Sequence, residues 1–240
     1  MIEDRRPLLV ITARAGSTRL PRKVLRPIYK SYTILEFLIQ RLRTNHETSR
    51  LILSTGDSVE NDVIEDIGRA IGIPVLRGPE DDVMERVHMC LKSADDVKFI
   101  GRVTADNPLT DPELILIQLK EMIIERSDYS YCLDCPTGTA VDLWTSECFM
   151  RMYGSVKTDR EREHINAWVW ENPEINNILW FKPPRDFRCK ELSVTIDTEN
   201  DYEYVRGLIN KIEDPICTGM PKIIDFYGRS DECFGHRRAL

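Results

Sequence analysis

The sequence predicts an α/β fold built on a doubly wound, mostly parallel sheet, and two observations carry that reading. Strand-like and helix-like segments alternate through the first half of the chain, the pattern of a parallel sheet covered by helices on both faces. The first strand-like segment, Leu8-Leu9-Val10-Ile11, is apolar at every position, as a strand buried on both faces must be. A chain of 240 residues suits one large domain of this kind, or one domain with a small appendage.

After the first strand comes a polar loop. Apolar residues at 34, 35, 38, 39 and 42 then give helical spacing over Ile34–Leu42. Leu51-Ile52-Leu53 reads as a second strand, and 60–71 as a helix stopped by Gly72. Pro74-Val75-Leu76 is a short third strand. Asp81 or Asp82 caps a helix running to Ser93. Phe99 to Val103 is a fourth strand. Asp111-Pro112-Glu113 supplies an N-cap, a first-turn proline and a first-turn acid, opening a helix to Arg126. The second half is less regular: strands at 129–131, 141–143 and 192–196, and helices at 160–171 and 200–211. Ligands in such sheets bind beyond the carboxyl ends of the strands, so the loops after Ile11, Leu76 and Val103 are expected to converge.

Composition narrows the function. Hydrophobic residues make up 42% and charged residues 30%, as in an ordinary soluble protein, and the formal net charge is −7. That balance disfavours a nucleic-acid partner but leaves room for a small anion held by a local basic cluster. No apolar run is long enough to span a bilayer, and the start, Met1-Ile2-Glu3-Asp4-Arg5-Arg6-Pro7, has acids where a signal peptide would be basic, so no membrane association and a cytoplasmic location are expected. Seven scattered cysteines point to free thiols. Cys132 and Cys135 have the spacing of a metal or redox pair, yet no matching second pair accompanies them, and they read as incidental thiols at a strand end.

The loop after the first strand carries the chemistry. Ala13-Arg14-Ala15-Gly16-Ser17-Thr18-Arg19-Leu20-Pro21-Arg22-Lys23 packs four cations, two hydroxyls and a glycine into one turn of chain. Gly16 lets a ligand approach the backbone. Backbone amides with Ser17 and Thr18 can donate to phosphate oxygens, and Arg14, Arg19 and Lys23 can neutralise them. The loop lacks the Gly-Lys-Ser/Thr of a Walker motif and the repeated glycines of a dinucleotide fingerprint. The bland reading is a solvated basic loop.

This segment resembles the signature loop of the cytidylyltransferases that make CMP-activated sugars and acids, and most closely the spore-coat-polysaccharide type, Ala-Arg-x-Gly-Ser-Thr-Arg-Leu-Pro-Gly-Lys; Arg22 stands where the family has glycine. Four further stretches continue the likeness: Arg77 to Arg86, with Arg77-Gly78 and Asp82; Arg102-Val103-Thr104-Ala105-Asp106-Asn107-Pro108; Arg162-Glu163-His164-Ile165; and Val194 to Asp201. The resemblance implies a fold of the nucleotide-diphospho-sugar transferase type over 1–215, with 216–240 as a tail or docking segment. It implies CTP as donor, a small-molecule acceptor, Mg²⁺ as cofactor, and a homodimer. Arg19, Lys23 and Asp106 are then the catalytic candidates. Ala13, Arg14, Ala15, Gly16, Ser17, Arg77, Gly78, Asp82 and Thr104 would bind the nucleotide, with Arg77 and Gly78 flanking the base. Asn107, Asp142, Glu163 and His164 would meet the acceptor, and Asp106 and Asp197 would ligate the metal. Gly138-Thr139-Ala140-Val141-Asp142 departs from the family's Gly-x-Asp-Val-Glu, which points to a different acceptor.

Competing readings stand beside these. Asp106 before Asn107-Pro108 suits a turn, Asp197 before Thr198 suits a helix cap, and His164 on a helix suits a structural bond. Trp168, Trp170 and Trp180 suit a core or an interface better than base stacking. A sugar-1-phosphate uridylyl- or guanylyltransferase is the enzymatic alternative, although its first loop is usually richer in glycine. A catalytically silent nucleotide-binding protein is the non-enzymatic one.

Overall fold

The computed structural model describes residues 6–45 and 50–234. In chain order the elements are β1 (Leu8–Thr12), β2 (Pro27–Tyr29), β3 (Tyr32–Thr33), α1 (Ile34–Arg43), β4 (Arg50–Gly56), α2 (Asp62–Ile71), β5 (Val75–Gly78), α3 (Val83–Lys92), β6 (Phe99–Thr104), α4 (Pro112–Ile124), β7 (Tyr129–Cys132), β8 (Asp142–Thr145), α5 (Ser146–Ser155), α6 (Asp159–Glu163), α7 (Ala167–Glu171), β9 (Ile178–Phe181), α8 (Glu199–Ile209) and α9 (Met220–Phe234). Capping behaves as the side chains dictate. Thr33 and Glu36 form a capping box on α1, Asp82 accepts from Glu85 N at the start of α3, Asp111 accepts from two amides of α4, and Gly72 closes α2 at φ 78°.

The main sheet has seven strands in the order β5-β4-β1-β6-β8-β7-β9. β5, β4, β1 and β6 run parallel, β8 is antiparallel to both neighbours, and β7 and β9 are parallel to each other. The chain winds outward from β1 through β4 to β5, then returns to the other side of β1 with β6. The crevice at the carboxyl ends of β1 and β6 is therefore the topological switch point.

Alternation along β1 divides the core. Leu9 and Ile11 join α1, α2 and α4 on one face; Leu8 and Val10 join α3, α5 and α7 on the other. A third cluster packs β2, α8 and the start of α9, with Met220 and Ile223 fully buried. The doubly wound, mostly parallel architecture is thus present. No described helix is long and apolar enough to cross a membrane.

The second half departs from expectation in three ways. The helix expected over 160–171 is two short helices, because His164 leaves helical geometry at ψ 73°; the break sends Ile165, Trp168 and Val169 into the core and leaves Glu163 and His164 outside. The run 192–196 alternates inward Leu192, Val194 and Ile196 with outward residues as a strand would. It pairs with loops instead of a strand: Thr137 N donates to Leu192 O, Val194 N to Thr137 O, and Ile196 N to Asp106 O at 3.0 Å, leaving one isolated bridge to Thr137. Finally β9 and α5 are additional elements there, as the β2–β3 hairpin is in the first half. β9 lies at the sheet edge, where Trp180 is exposed beside Trp170 and Tyr131, while Trp168 is buried.

Candidate active site

An open cleft of about 240 Å³ lies at the switch point, lined by the loop after β1, the ends of β1 and β6, one face of α3, the α6–α7 break and Asp197. The loop is held from beneath. Ala13 N donates to Ser54 O, and Ala15 N donates at 2.8 Å to the Oδ1 of Asn61. Asn61 is fully buried, and its Nδ2 donates to Ser58 and Glu80, tying the loops after β1, β4 and β5 together. Arg22 sits at φ 55°, the left-handed region that glycine occupies without strain, and its amide returns to Ala15 O. Gly16 has ample room, since an added Cβ would come no closer than 3.8 Å to Glu80, so the fold itself does not require glycine there, and Gly16 does not line the cleft.

The two carboxylates expected to pair do so. The bond from Ile196 N to Asp106 O brings the residue after Ile196 beside Asp106, although neither belongs to a shared strand pair. Lys23 Nζ donates to Asp106 Oδ2 at 2.6 Å and Asp197 Oδ1 at 3.0 Å, so these oxygens lie within about 6 Å of each other, roughly the span of two hydrogen bonds. Arg19 donates to the same Asp197 oxygen at 2.8 Å. Helix α8 is capped by Thr198 in a box with Asp201, not by Asp197. The carboxylate of Asp106 likewise reaches out of its turn to Lys23. Arg19 and Lys23 differ sharply: the Arg19 side chain is 66% exposed, but that of Lys23 is only 11% exposed, so Lys23 is not the solvent-facing loop residue that its position suggests.

Two further arginines line the cleft that the motif reading quoted without assigning a role. Arg86 is buried on α3, donates to Pro79 O and Glu80 O, and has its pKa lowered chiefly by burial, against the pull of Glu80 and with help from the nearby positive charges of Arg14 and Arg102. Arg102, on β6, also has its pKa lowered by burial, partly offset by Asp142, Asp106 and Glu163; its Nε has no partner. With Arg14, Arg19 and Lys23, five cations converge on one cleft of a protein whose net charge is −7. Arg14 bridges the rim, pairing with Asp81 and Glu163. Asn61 was missed because a lone asparagine before a helix reads only as a cap; burial alone reveals its role.

Other expected residues stand apart from this cleft. Arg77 turns away: its guanidinium donates to Gly56 O, Ser58 O, Asp62 and Glu65, bracing β5 against the start of α2. Gly78 makes room for the stem of Arg86, which a Cβ would meet at 3.0 Å. Asp82 spends one oxygen capping α3 and the other on Arg162. Asn107 donates to Thr104 Oγ1, and its buried Oδ1 faces Gly138, which needs its φ of 92° and its missing side chain there. Asp142 lies behind the cleft, accepting from Tyr129 OH and from Asn166 Nδ2; burial raises its pKa, against the opposing pull of those bonds and Arg102. Thr104, Glu163 and His164 do line the cleft, with Ala13, Arg14 and Ser17.

Asp106 and Asp197 suit a hard divalent ion that takes one or two carboxylates and completes its shell with water and phosphate oxygens. Among the described residues no group of three or more His, Cys, Asp or Glu side chains is arranged to hold a metal, so a closed, all-protein metal cage is not what this site offers.

Residues 8–214 match the family model described as cytidylyltransferase. The chain is 29% identical to the spore coat polysaccharide biosynthesis protein SpsF of Bacillus subtilis, over 97% of this chain and 98% of that one. Its fold is similar to that of a cytidylyltransferase from Leptospira borgpetersenii, at TM-score 0.88 and 24% identity over 98% of this chain and 99% of that one. It is also similar to a CMP:2-keto-3-deoxy-manno-octonic acid synthetase complexed with CTP, at TM-score 0.66 and 14% identity over 86% and 99% of the two chains.

Proposed function

The chain is a nucleotidyltransferase belonging to the cytidylyltransferase family, and from that premise we propose that it moves CMP from CTP onto a small acidic or sugar acceptor, releasing pyrophosphate, with Mg²⁺ as cofactor. The observation that carries this reading is the convergence of five cations opposite a pair of carboxylates at the switch point of the sheet. A triphosphate needs the cations and a divalent ion needs the carboxylates, and the reaction needs both within one cleft. Arg14, Ser17, Arg19 and Lys23 would hold the phosphates, so catalysis is mainly positioning and stabilisation of charge gathering on the phosphoryl oxygens. Asp106 and Asp197 would hold Mg²⁺, which when bound supplies Lewis acidity and a template for the triphosphate. Glu163 and His164, exposed by the break between α6 and α7, would meet the acceptor.

Arg77 reads the base, if at all, through its backbone, because its side chain is committed elsewhere. The acceptor is a 2-keto acid sugar, a sugar phosphate or a phosphonate. The likeness to a spore coat polysaccharide protein supports a role in carbohydrate or cell-surface polysaccharide biosynthesis. We assign the work to the cytoplasm and to a homodimer, with 1–215 as the catalytic domain.

Thermal-shift titration with CTP, UTP, ATP and GTP, each with Mg²⁺, tests the donor. CTP is expected to stabilise most, since a base-reading hydrogen bond lost in a buried site costs about 1–3 kcal/mol. Equal stabilisation by all four would remove the claim that the base is read.

A further inference from the structure

Lys23 occupies the space between the two carboxylates. Its Nζ donates to Asp106 Oδ2 at 2.6 Å, to Ile196 O at 2.7 Å and to Asp197 Oδ1 at 3.0 Å. An ammonium has three donors, and here all three are taken. The side chain is 11% exposed. The backbone aims it inward: Arg22 takes the left-handed conformation immediately before it, and Lys23 opens a short 3-10 turn. The arrangement answers an electrostatic need, because two carboxylates held this close repel each other without a cation between them.

We propose that Lys23 is a surrogate cation, which offsets half the charge of the carboxylate pair and keeps the metal site closed until a triphosphate arrives, so that the donor is taken up as a metal–nucleotide complex and not by a protein already loaded with metal. The proposal rests on the reading of Asp106 and Asp197 as metal ligands. An ammonium and a divalent ion compete for these oxygens, since two like charges held at one pair of carboxylates repel each other. A triphosphate gives Lys23 another anionic partner, and the flexible four-carbon stem lets the ammonium move to it. Drawing Lys23 off the carboxylates frees them for the metal, so nucleotide and metal each raise the other's affinity by the same factor. Arg19 is a poorer surrogate. It contacts only one of the two carboxylates and is largely solvent-exposed.

The test uses Mn²⁺ as the probe and chelator-stripped, full-length protein, with free Mn²⁺ followed by electron paramagnetic resonance. Nucleotide-free wild type is expected to bind Mn²⁺ weakly. Lys23→Met is expected to bind it about tenfold tighter or better, because the pair then lacks its neutralising charge. Asp106→Asn in the Lys23→Met background should abolish that gain. CTP should raise Mn²⁺ affinity more for the wild type than for Lys23→Met. Equal nucleotide-free binding by wild type and Lys23→Met overturns the proposal, as does a gain that survives Asp106→Asn. If circular dichroism finds Lys23→Met unfolded, Lys23→Gln, of similar length with a neutral polar tip, is read the same way. Tight stoichiometric Mn²⁺ binding by the nucleotide-free wild type overturns it without any variant. The nucleotide-free arms need no CTP and stay informative even if no triphosphate stabilises the protein and the donor assignment fails.

Discussion

On the β1 side of the cleft the rim arginines ride on a loop and meet their partners across open space, whereas on the β8 side the charged groups are set into the sheet and answered by their own neighbours. Arg14 is half-exposed and pairs with Asp81 and Glu163 at 3.4 and 3.6 Å, and the exposed Arg19 pairs with Asp197 at 2.8 Å. Asp142 is half-buried, and a chain of donors leads to it, from Trp170 Nε1 to Tyr129 OH and from Tyr129 OH to the carboxylate. The first arrangement can exchange its partners for a ligand at little cost, because exposed ion pairs contribute little to stability. The second cannot, because removing one member of a buried polar network leaves the others unpaired. A donor with a fixed triphosphate can be gripped by exchangeable cations.

The largest effect should come from the carboxylate pair between the two sides. Asp106→Asn and Asp197→Asn are each expected to lower kcat by about 100-fold or more, as loss of a metal ligand removes several kcal/mol of transition-state stabilisation. Both should keep a wild-type circular dichroism spectrum. Near-normal turnover of Asp197→Asn in a steady-state pyrophosphate assay would return that residue to a structural role.

Next in size is Arg19→Ala, on the exchangeable side. Loss of a preorganised donor to a transition state typically costs about 100-fold in rate. Stability should change by less than about 0.5 kcal/mol, as for other surface substitutions. Paired measurements of kcat and urea midpoint separate the two. An early melting variant with normal kcat would make Arg19 a scaffold residue.

The smallest effect belongs to Asp142 and appears in the pH profile of stability. Burial raises its folded-state pKa above the unfolded value. The folded protein therefore holds that proton more tightly, so this group favours folding at low pH and opposes it once the pH rises through the raised pKa. Asp142→Asn removes the titration. The Tm of Asp142→Asn minus that of the wild type should become more positive as pH rises from the ordinary carboxylate range toward neutrality. A difference that stays flat or falls would mean that Tyr129, Asn166 and Arg102 compensate the burial of the charge fully.

What the sequence made legible follows the same division. β1, β4, β5 and β6 with α1 to α4 could be read from apolar runs, caps and Gly72, because each is a local pattern repeated in a parallel sheet. The convergence of Asp106 and Asp197 could be read from the resemblance, but its physical cause could not. It rests on one backbone bond between an irregular extended segment and the β6 loop, and periodicity carries no sign of such a bond. The break at His164 was hidden because Arg160 to Glu171 has acceptable helical composition, and only the need to bury Ile165 while exposing Glu163 and His164 forces the turn. Arg77 misled for a related reason: an arginine at a strand end looks free, while its partners Asp62 and Glu65 are recognisable only once α2 lies beside β5.

The most direct test of the central claim is transfer of label from α-labelled CTP, in the presence of Mg²⁺, to a panel holding a 2-keto acid sugar, a sugar phosphate and a phosphonate. The account predicts that label moves from CTP to one of these acceptors with stoichiometric release of pyrophosphate, and that Asp106→Asn abolishes the transfer. Tight binding of CTP with no transfer to any acceptor would contradict it, and would make the chain a silent nucleotide-binding member of its family.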